Sequence, residues 1–345
     1  MKKLNFAVIG CGVIAQTHAK VFERIGDADC VLYACCDIVP EKADAYAAAH
    51  GVSRVYYDDE SVYRDGNIDV VCVCVPSGAH GAVCMAAARA GKHMICEKPM
   101  EITPARIAEV IRVVRECGVK MQNIFQRRMM PVAIAVRDAV RAGKFGRVCL
   151  ADAQLKYYRD QAYYNSAGWR GTWELDGGGA LMNQGVHGVD LILWMIGGEI
   201  DTLYGRAETI ARDIAVEDTA AALIRMKDGA LCVIEGATTA YPGYSTTFSI
   251  HGEKGSVIFN DEGILAWNFL DPEDAPARPA PGIGVGGSKS NVDITIDGHV
   301  RLFLDMAAAI RENREPMIPP EDAMQAVKVI SGIYESTRRG EILKF

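Results

Sequence analysis

Leu4-Asn-Phe-Ala-Val-Ile-Gly10-Cys-Gly12-Val-Ile-Ala15 is the stretch that decides the fold. Its apolar lead-in reads as a strand. Val13–Ile25 carries apolar residues at helical spacing. The turn between them fits Gly-x-Gly-x-x-Ala. The first glycine permits a tight turn, the second lets a pyrophosphate approach the main chain, and the small third residue allows close helix–strand packing. Phosphate oxygens would meet the unpaired N–H groups at the helix start. A second strand, Cys30–Cys36, is followed directly by Asp37. An acid there accepts hydrogen bonds from an adenosine ribose and repels a 2′-phosphate. The expected dinucleotide is therefore NAD rather than NADP, held by Gly10, Gly12, Val13, Ile14 and Asp37. Two alternatives share these residues: a packing glycine pair with a helix-capping aspartate, and a methyltransferase using a glycine turn and an acid.

Outward from the turn, strand and helix alternate. Pro40–His50 is an alanine-rich helix with proline in its first turn. Residues 69–75 form a nearly continuous apolar run ending at Pro76, suited to a parallel strand covered on both faces. Helical patterns over 78–90 and 103–117 alternate with strands at His93–Cys96 and 119–123. These units predict an α/β chain with a doubly wound parallel (Rossmann) domain over residues 1–122. The pattern then changes. A helix over 130–142, a strand over 148–158 and a glycine-rich helix near 180–196 precede strand runs at 202–211, Thr219–Met226, 230–239, 245–251 and 256–260. Short turns such as Lys227-Asp-Gly229 join them. The expectation is a second α/β domain, residues 123–345, with an open, mostly antiparallel sheet. Residues 271–298, rich in Pro and Gly, read as a long irregular loop. Two helices, over 300–313 and 321–338, close the chain.

Composition narrows the partners. The chain has 345 residues, 37 Lys and Arg against 44 Asp and Glu, and a formal net charge of −7. Polyanion binders usually carry the opposite sign, so neither nucleic acid nor an anionic membrane is expected as a partner. No apolar run is long enough to span a bilayer. Lys2, Lys3 and the apolar stretch 6–15 mimic a signal peptide. Cleavage there would discard the glycine turn that the next strand and helix need, so no signal peptide is expected. The 11 cysteines are scattered, with no Cys-x-x-Cys pair. They read as small core residues of a cytoplasmic protein, with no disulfide framework and no metal site.

Two further motifs carry chemistry. Glu97-Lys98-Pro99 ends a strand at the carboxyl edge of the sheet, where ligands of open α/β sheets bind. A lysine there can bind a substrate hydroxyl, and Pro99 restricts it to an extended conformation. Read alone, the tripeptide is a loop with two solvated charges. In Gly177-Gly-Gly-Ala-Leu-Met-Asn183-Gln-Gly-Val-His187-Gly-Val-Asp190, Asn183 and His187 are four apart and share a helix face. An imidazole beside a bound alcohol can accept its proton. The competing reading is a core histidine satisfied by Asp190.

This combination, together with Pro76-Ser77-Gly-Ala-His80, Gln126-Arg-Arg128 and Trp169-Arg170, resembles the Gfo/Idh/MocA family of sugar and inositol oxidoreductases along essentially the whole chain. Gly-Ala-Leu-Met-Asn-Gln-Gly-x-His looks most like branches acting on sugars, including nucleotide-sugar 3-dehydrogenases. The resemblance implies reversible hydride transfer between a carbohydrate-like secondary alcohol and nicotinamide. It assigns proton transfer to His187 and oxyanion stabilisation to Lys98. Asn183 stands where many inositol dehydrogenases have aspartate. An amide cannot be a carboxylate base, so Asn183 is expected to orient the substrate. Tyr163 joins Lys98, Asn183 and His187 as a substrate contact. Pro76, Ser77, His80, Glu97, Lys98 and Gln126 are expected near the cofactor, and Trp169 and Arg170 near its nicotinamide half by analogy. A homodimer or homotetramer is implied. Two other activities remain within the resemblance: an NAD-dependent glycosidase, and a non-catalytic ligand sensor such as a yeast transcriptional corepressor.

Overall fold

The computed structural model describes residues 3–26, 30–273, 275–280 and 296–345. Strands β1 (Leu4–Ile9), β2 (Cys30–Cys36), β3 (Arg54–Tyr56), β4 (Val70–Val73), β5 (His93–Cys96) and β6 (Met121–Asn123) form one sheet in the order β3-β2-β1-β4-β5-β6. Every pairing in it is parallel. Helices α1 (Val13–Ile25), α2 (Pro40–His50), α3 (Asp59–Arg64), α4 (His80–Arg89) and α5 (Pro104–Cys117) connect the strands. All four residues of β4 are buried, as a parallel strand covered on both faces requires. Thr103 caps α5, its hydroxyl accepting from Arg106 N, and Pro104 follows in the first turn. The helical stretch expected over 78–90 divides into a short 3₁₀ turn, Ser77–Ala79, and α4. Short β3 and α3 were not expected; three- and six-residue elements carry too little periodicity to read.

Among the described residues the second sheet has eight strands. Helix α6 (Pro131–Arg141), strand β7 (Val148–Lys156), helix α7 (Gln161–Asn165), a π-helical turn at Ala180–Gly185 and helix α8 (Val186–Ile196) lead into β8 (Ile200–Glu208), β9 (Thr219–Met226), β10 (Leu231–Ala237), β11 (Thr247–Gly252), β12 (Gly255–Asn260) and β13 (Gly263–Phe269). The order is β13-β12-β11-β7-β10-β9-β8-β14, the last strand being Leu343–Lys344 at the chain end. Among the described residues, β7 with β10 is the parallel pair and the other pairings are antiparallel. Burial alternates along β9, so one face packs against helices and the other does not. Helix α8 lies directly on β7: a Cβ on Gly188 would collide with Leu155. Strand β13 escaped the sequence reading because it is a half-exposed edge strand without alternation.

After the loop expected at 271–298, of which 274 and 281–295 lie outside the described residues, the chain forms α9 (Asp297–Glu312) and α10 (Met324–Arg339). Contacts divide the protein into two compact units, residues 1–126 with 296–324, and residues 127–295 with 325–345. A single cut at 122/123 therefore misplaces α9, which belongs to the first unit. Phe303 of α9 stacks on Phe6 with 6.0 Å between ring centroids and meets Phe22 edge-on at 5.4 Å. The segment beyond it is tied down by Asn123 N donating to Ile318 O (2.9 Å) and by Arg115 bridging Glu315 and Glu321.

Candidate active site

In a parallel sheet every strand ends at the same edge. That edge of the first unit carries Gly10 after β1, Asp37 after β2, the Pro76 turn after β4 and Glu97-Lys98-Pro99 after β5. Gly10 has φ +92°, and a Cβ there would lie 2.7 Å from the Cys74 carbonyl group, so only glycine fits. Gly12 is the N-cap of α1 with no side-chain cap, and nothing lies within 4 Å of where its Cβ would be. Space therefore remains beside the start of α1 at a residue with no side chain, as the approach of a pyrophosphate to the main chain requires. Val13, one residue on, is exposed. Asp37 is half-buried. Its Oδ2 accepts from Cys11 N and its Oδ1 from Val39 N, both at 2.9 Å. These bonds pin the carboxylate beside the glycine turn and leave it lone pairs for a ribose. The chain's own residues thus fit a dinucleotide.

The other first-unit candidates are more enclosed than a solvated loop would be. Glu97 is 4% exposed, and its Oε1 accepts from His18 Nε2 at 2.9 Å. Lys98 is half-buried, and the Lys98–Pro99 peptide is cis. His80, expected to reach a cofactor, is buried with both ring nitrogens on main-chain carbonyls: Nδ1 is 2.7 Å from Pro99 O and Nε2 2.8 Å from Val75 O. Its imidazole ties the Pro76 turn to the Lys98 turn. Burial lowers its pKa, although both carbonyls oppose the shift. Ser77 and Gln126 are buried, and Gln126 Oε1 has no hydrogen-bond partner among the described residues.

The second unit gathers a different set. Asn183 lies in the π-helical turn, not on one continuous α-helix over 180–196, and His187 sits in the first turn of α8. Gln184 N donates to Gly179 O at 3.2 Å, the i→i−5 bond of a π-turn. Buried Glu217 holds this turn by accepting from Gly179 N (2.9 Å), Leu181 N (2.8 Å) and Tyr334 Oη (2.8 Å). Asn183 donates its amide to Asp176 and accepts from Gln184 Nε2 at 2.6 Å. Gln184 also donates to Tyr163 Oη at 2.8 Å, and Arg170 donates to the same oxygen. The Arg170 guanidinium lies 4.2 Å from the centroid of Tyr163 and 4.7 Å from that of Trp169. Burial raises the Tyr163 pKa, so the phenol stays protonated. Asn183, Tyr163, Trp169 and Arg170 thus belong to one polar cluster. His187 is half-buried one turn beyond it.

Asp190, proposed in the competing reading as the partner of His187, is gripped by Arg128 in a bidentate pair of 2.8 and 2.6 Å. Arg127 binds Asp261 at 2.5 Å. The two arginines after Gln126 are therefore structural anchors of the second unit. Sequence reasoning missed Asp176, Gln184 and Glu217. Asp176 adjoins the glycine run and was within reach of it; Glu217 carried no signal. Among the described residues no cluster of His, Cys, Asp and Glu is suited to a metal ion, and no helix is long and apolar enough to cross a membrane.

Two family models match this chain. An oxidoreductase family with an NAD-binding Rossmann fold matches residues 4–125, and the GFO/IDH/MocA C-terminal domain matches residues 133–258. The WlbA dehydrogenase of Bordetella pertussis, solved with NADH and UDP-GlcNAcA, is 30% identical, with a TM-score of 0.88 over 100% of this chain and 99% of that one. Its counterpart from Chromobacterium violaceum, solved with the same two ligands, is 28% identical at the same TM-score, over 100% and 96%. The myo-inositol 2-dehydrogenase of Thermotoga maritima is 27% identical over 270 residues, 74% of this chain and 75% of that enzyme.

Proposed function

The chain belongs to the Gfo/Idh/MocA oxidoreductase family, and from that premise we propose that Lys98 and His187 carry the chemistry of its reaction, with Asn183 and Tyr163 orienting the substrate. The protein is an NAD-dependent oxidoreductase acting on hydroxyl groups of sugar-like alcohols. Bound nicotinamide supplies the hydride acceptor. His187 takes the proton of the reacting hydroxyl, and Lys98 stabilises the charge that develops on its oxygen. The observation that carries this reading is Lys98 itself, half-buried at the carboxyl edge of the sheet whose first turn forms the dinucleotide cradle. Gly10, Gly12, Val13, Ile14 and Asp37 hold the dinucleotide. Pro76 and Ser77 line its path, with Gln126, Trp169 and Arg170 as further contacts.

A nucleotide-linked uronic acid is the first candidate substrate. The WlbA dehydrogenases, solved with UDP-GlcNAcA, match the whole chain at 28–30% identity. Asn183, in place of a carboxylate, points away from inositol. The test is NADH formation scanned over nucleotide sugars, uronic acids, aldoses and inositols. Turnover of inositol alone would reverse the assignment. Release of an aglycone without net NADH would make the enzyme a glycosidase.

NAD preference is argued from Asp37, flanked by Ile38 and Val39, both exposed and neither positively charged. Asp37→Ser is expected to narrow the preference for NAD over NADP by about 10- to 100-fold, the effect of removing about 1.4–2.8 kcal/mol of like-charge repulsion. Dissociation constants measured by fluorescence titration check it. A native protein that binds NADP more tightly overturns this reading of Asp37.

The outer face of the second sheet supports a homo-oligomer. Leu223 is 47% exposed, and Tyr204, Leu231 and Leu150 are exposed with it. Tyr204 pairs with Leu223, and Leu231 with Leu150, so the apolar residues run across neighbouring strands. Symmetric pairing would bury such a patch. Light scattering at micromolar concentration is expected to give a multiple of 37.4 kDa; a monomer overturns the argument.

A further inference from the structure

Glu97 is as buried as a core residue, yet it is the neighbour of Lys98. Three segments far apart in sequence meet at its carboxylate. His18, from α1 just beyond the glycine turn, places Nε2 2.9 Å from Oε1. His299, from the returning helix α9, places Nε2 3.5 Å from the same oxygen. Lys98 N donates to Oε2 at 3.3 Å. Both histidines are fully buried, and aromatic packing fixes them: the His18 ring meets Phe303 edge-on at 5.0 Å and His299 at 6.2 Å.

We propose that Glu97, held by His18 and His299, is a positioning residue for Lys98: a buried anion that anchors the lysine's main chain and keeps its side chain in the ammonium form. The titratable groups around Glu97 are His18 from α1, Cys72 from β4, Cys74 just beyond it, His80 from α4, Cys96 from β5 and His299 from α9, besides Lys98 itself. Burial pushes the three thiols well above their ordinary range, so they stay neutral. Burial pulls His18 down despite Glu97, so it donates as a neutral imidazole. Burial would raise Glu97, but the hydrogen bond from His18 and the nearby His299 imidazole outweigh it and hold the carboxyl well below its usual range. The ionised carboxylate thus lies against the main chain of Lys98, its Oε2 accepting from the Lys98 N–H, and an opposite charge nearby favours the charged form of an amine.

The sign of the test follows. Lys98 acts as an ammonium, so activity is lost as pH rises through its pKa. Removing the neighbouring anion lowers that pKa. Glu97→Gln keeps size and a hydrogen-bond acceptor but removes the charge. It is expected to move the alkaline limb of the kcat profile down by about one pH unit, with kcat reduced about 10- to 100-fold and NAD affinity within threefold. Glu97→Asp keeps the charge but withdraws it by one methylene, and is expected to move the limb the same way by less. A limb unmoved in both variants, or in Glu97→Asp alone should Glu97→Gln not fold, overturns the proposal. The inference rests on the assignment of Lys98, which is checked separately: if Lys98→Ala keeps full turnover, that assignment fails. If Lys98→Ala abolishes turnover while the Glu97 variants keep the wild-type limb, only the role of Glu97 fails.

Discussion

His187→Ala and Lys98→Ala are each expected to lower kcat by about 10²–10⁴-fold, the usual contribution of a positioned proton-transfer or charge-stabilising group. Neither substitution is expected to change NAD affinity or melting temperature much. His187 is half-buried in the first turn of α8, while the helix's packing against β7 is made by Gly188 and Leu155. Lys98 follows β5, and the strand itself is secured by the parallel ladder with β4 and β6. Asn183→Ala should raise KM as well as lower kcat, because its amide is oriented by Asp176 and Gln184 toward a binding role. Steady-state kinetics with thermal melts on each variant provide the check. A His187 variant that melts far earlier yet keeps its turnover per folded molecule would make His187 a structural residue of α8.

The largest expected loss of stability comes from Asp190→Ala. Asp190 and Arg128 form a buried bidentate pair, with the guanidinium carbon also 5.5 Å from the Trp194 ring centroid. Taking away one member leaves a buried charge without its counterion, which costs about 3–5 kcal/mol. Replacing both, as Arg128→Met with Asp190→Leu, removes charge and countercharge together and should cost much less than the sum of the single losses. Denaturant titration of the two single variants and the double variant measures the coupling. A single variant within 1 kcal/mol of wild type would show that the pair does not hold α8 in place. Because α8 also carries His187, activity in this series is meaningful only per folded molecule.

What the sequence determined by itself is local. Gly-x-Gly-x-x-Ala between a strand and a helix reports a tight turn, because only glycine tolerates φ +92° with the Cys74 carbonyl so close. Alternating strands and amphipathic helices report a parallel sheet, and the position of Lys98 after β5 then places it on the ligand-binding edge. Each of these inferences needs only neighbouring residues, or the rule that parallel strands share an edge. Tertiary structure decided the rest. His18 and Glu97 are 79 residues apart in sequence, and His299 lies on a helix that the reading assigned to the other domain. The hydrogen bonds of Glu217 bend residues 180–185 into a π-turn, where periodicity alone indicates an ordinary helix. A buried polar group must find partners, but the chain's own pattern does not say which distant residue supplies them. That is why the dinucleotide turn was legible in the sequence, while the histidine partners of Glu97 and the scaffold beneath Asn183 emerged only from the folded molecule.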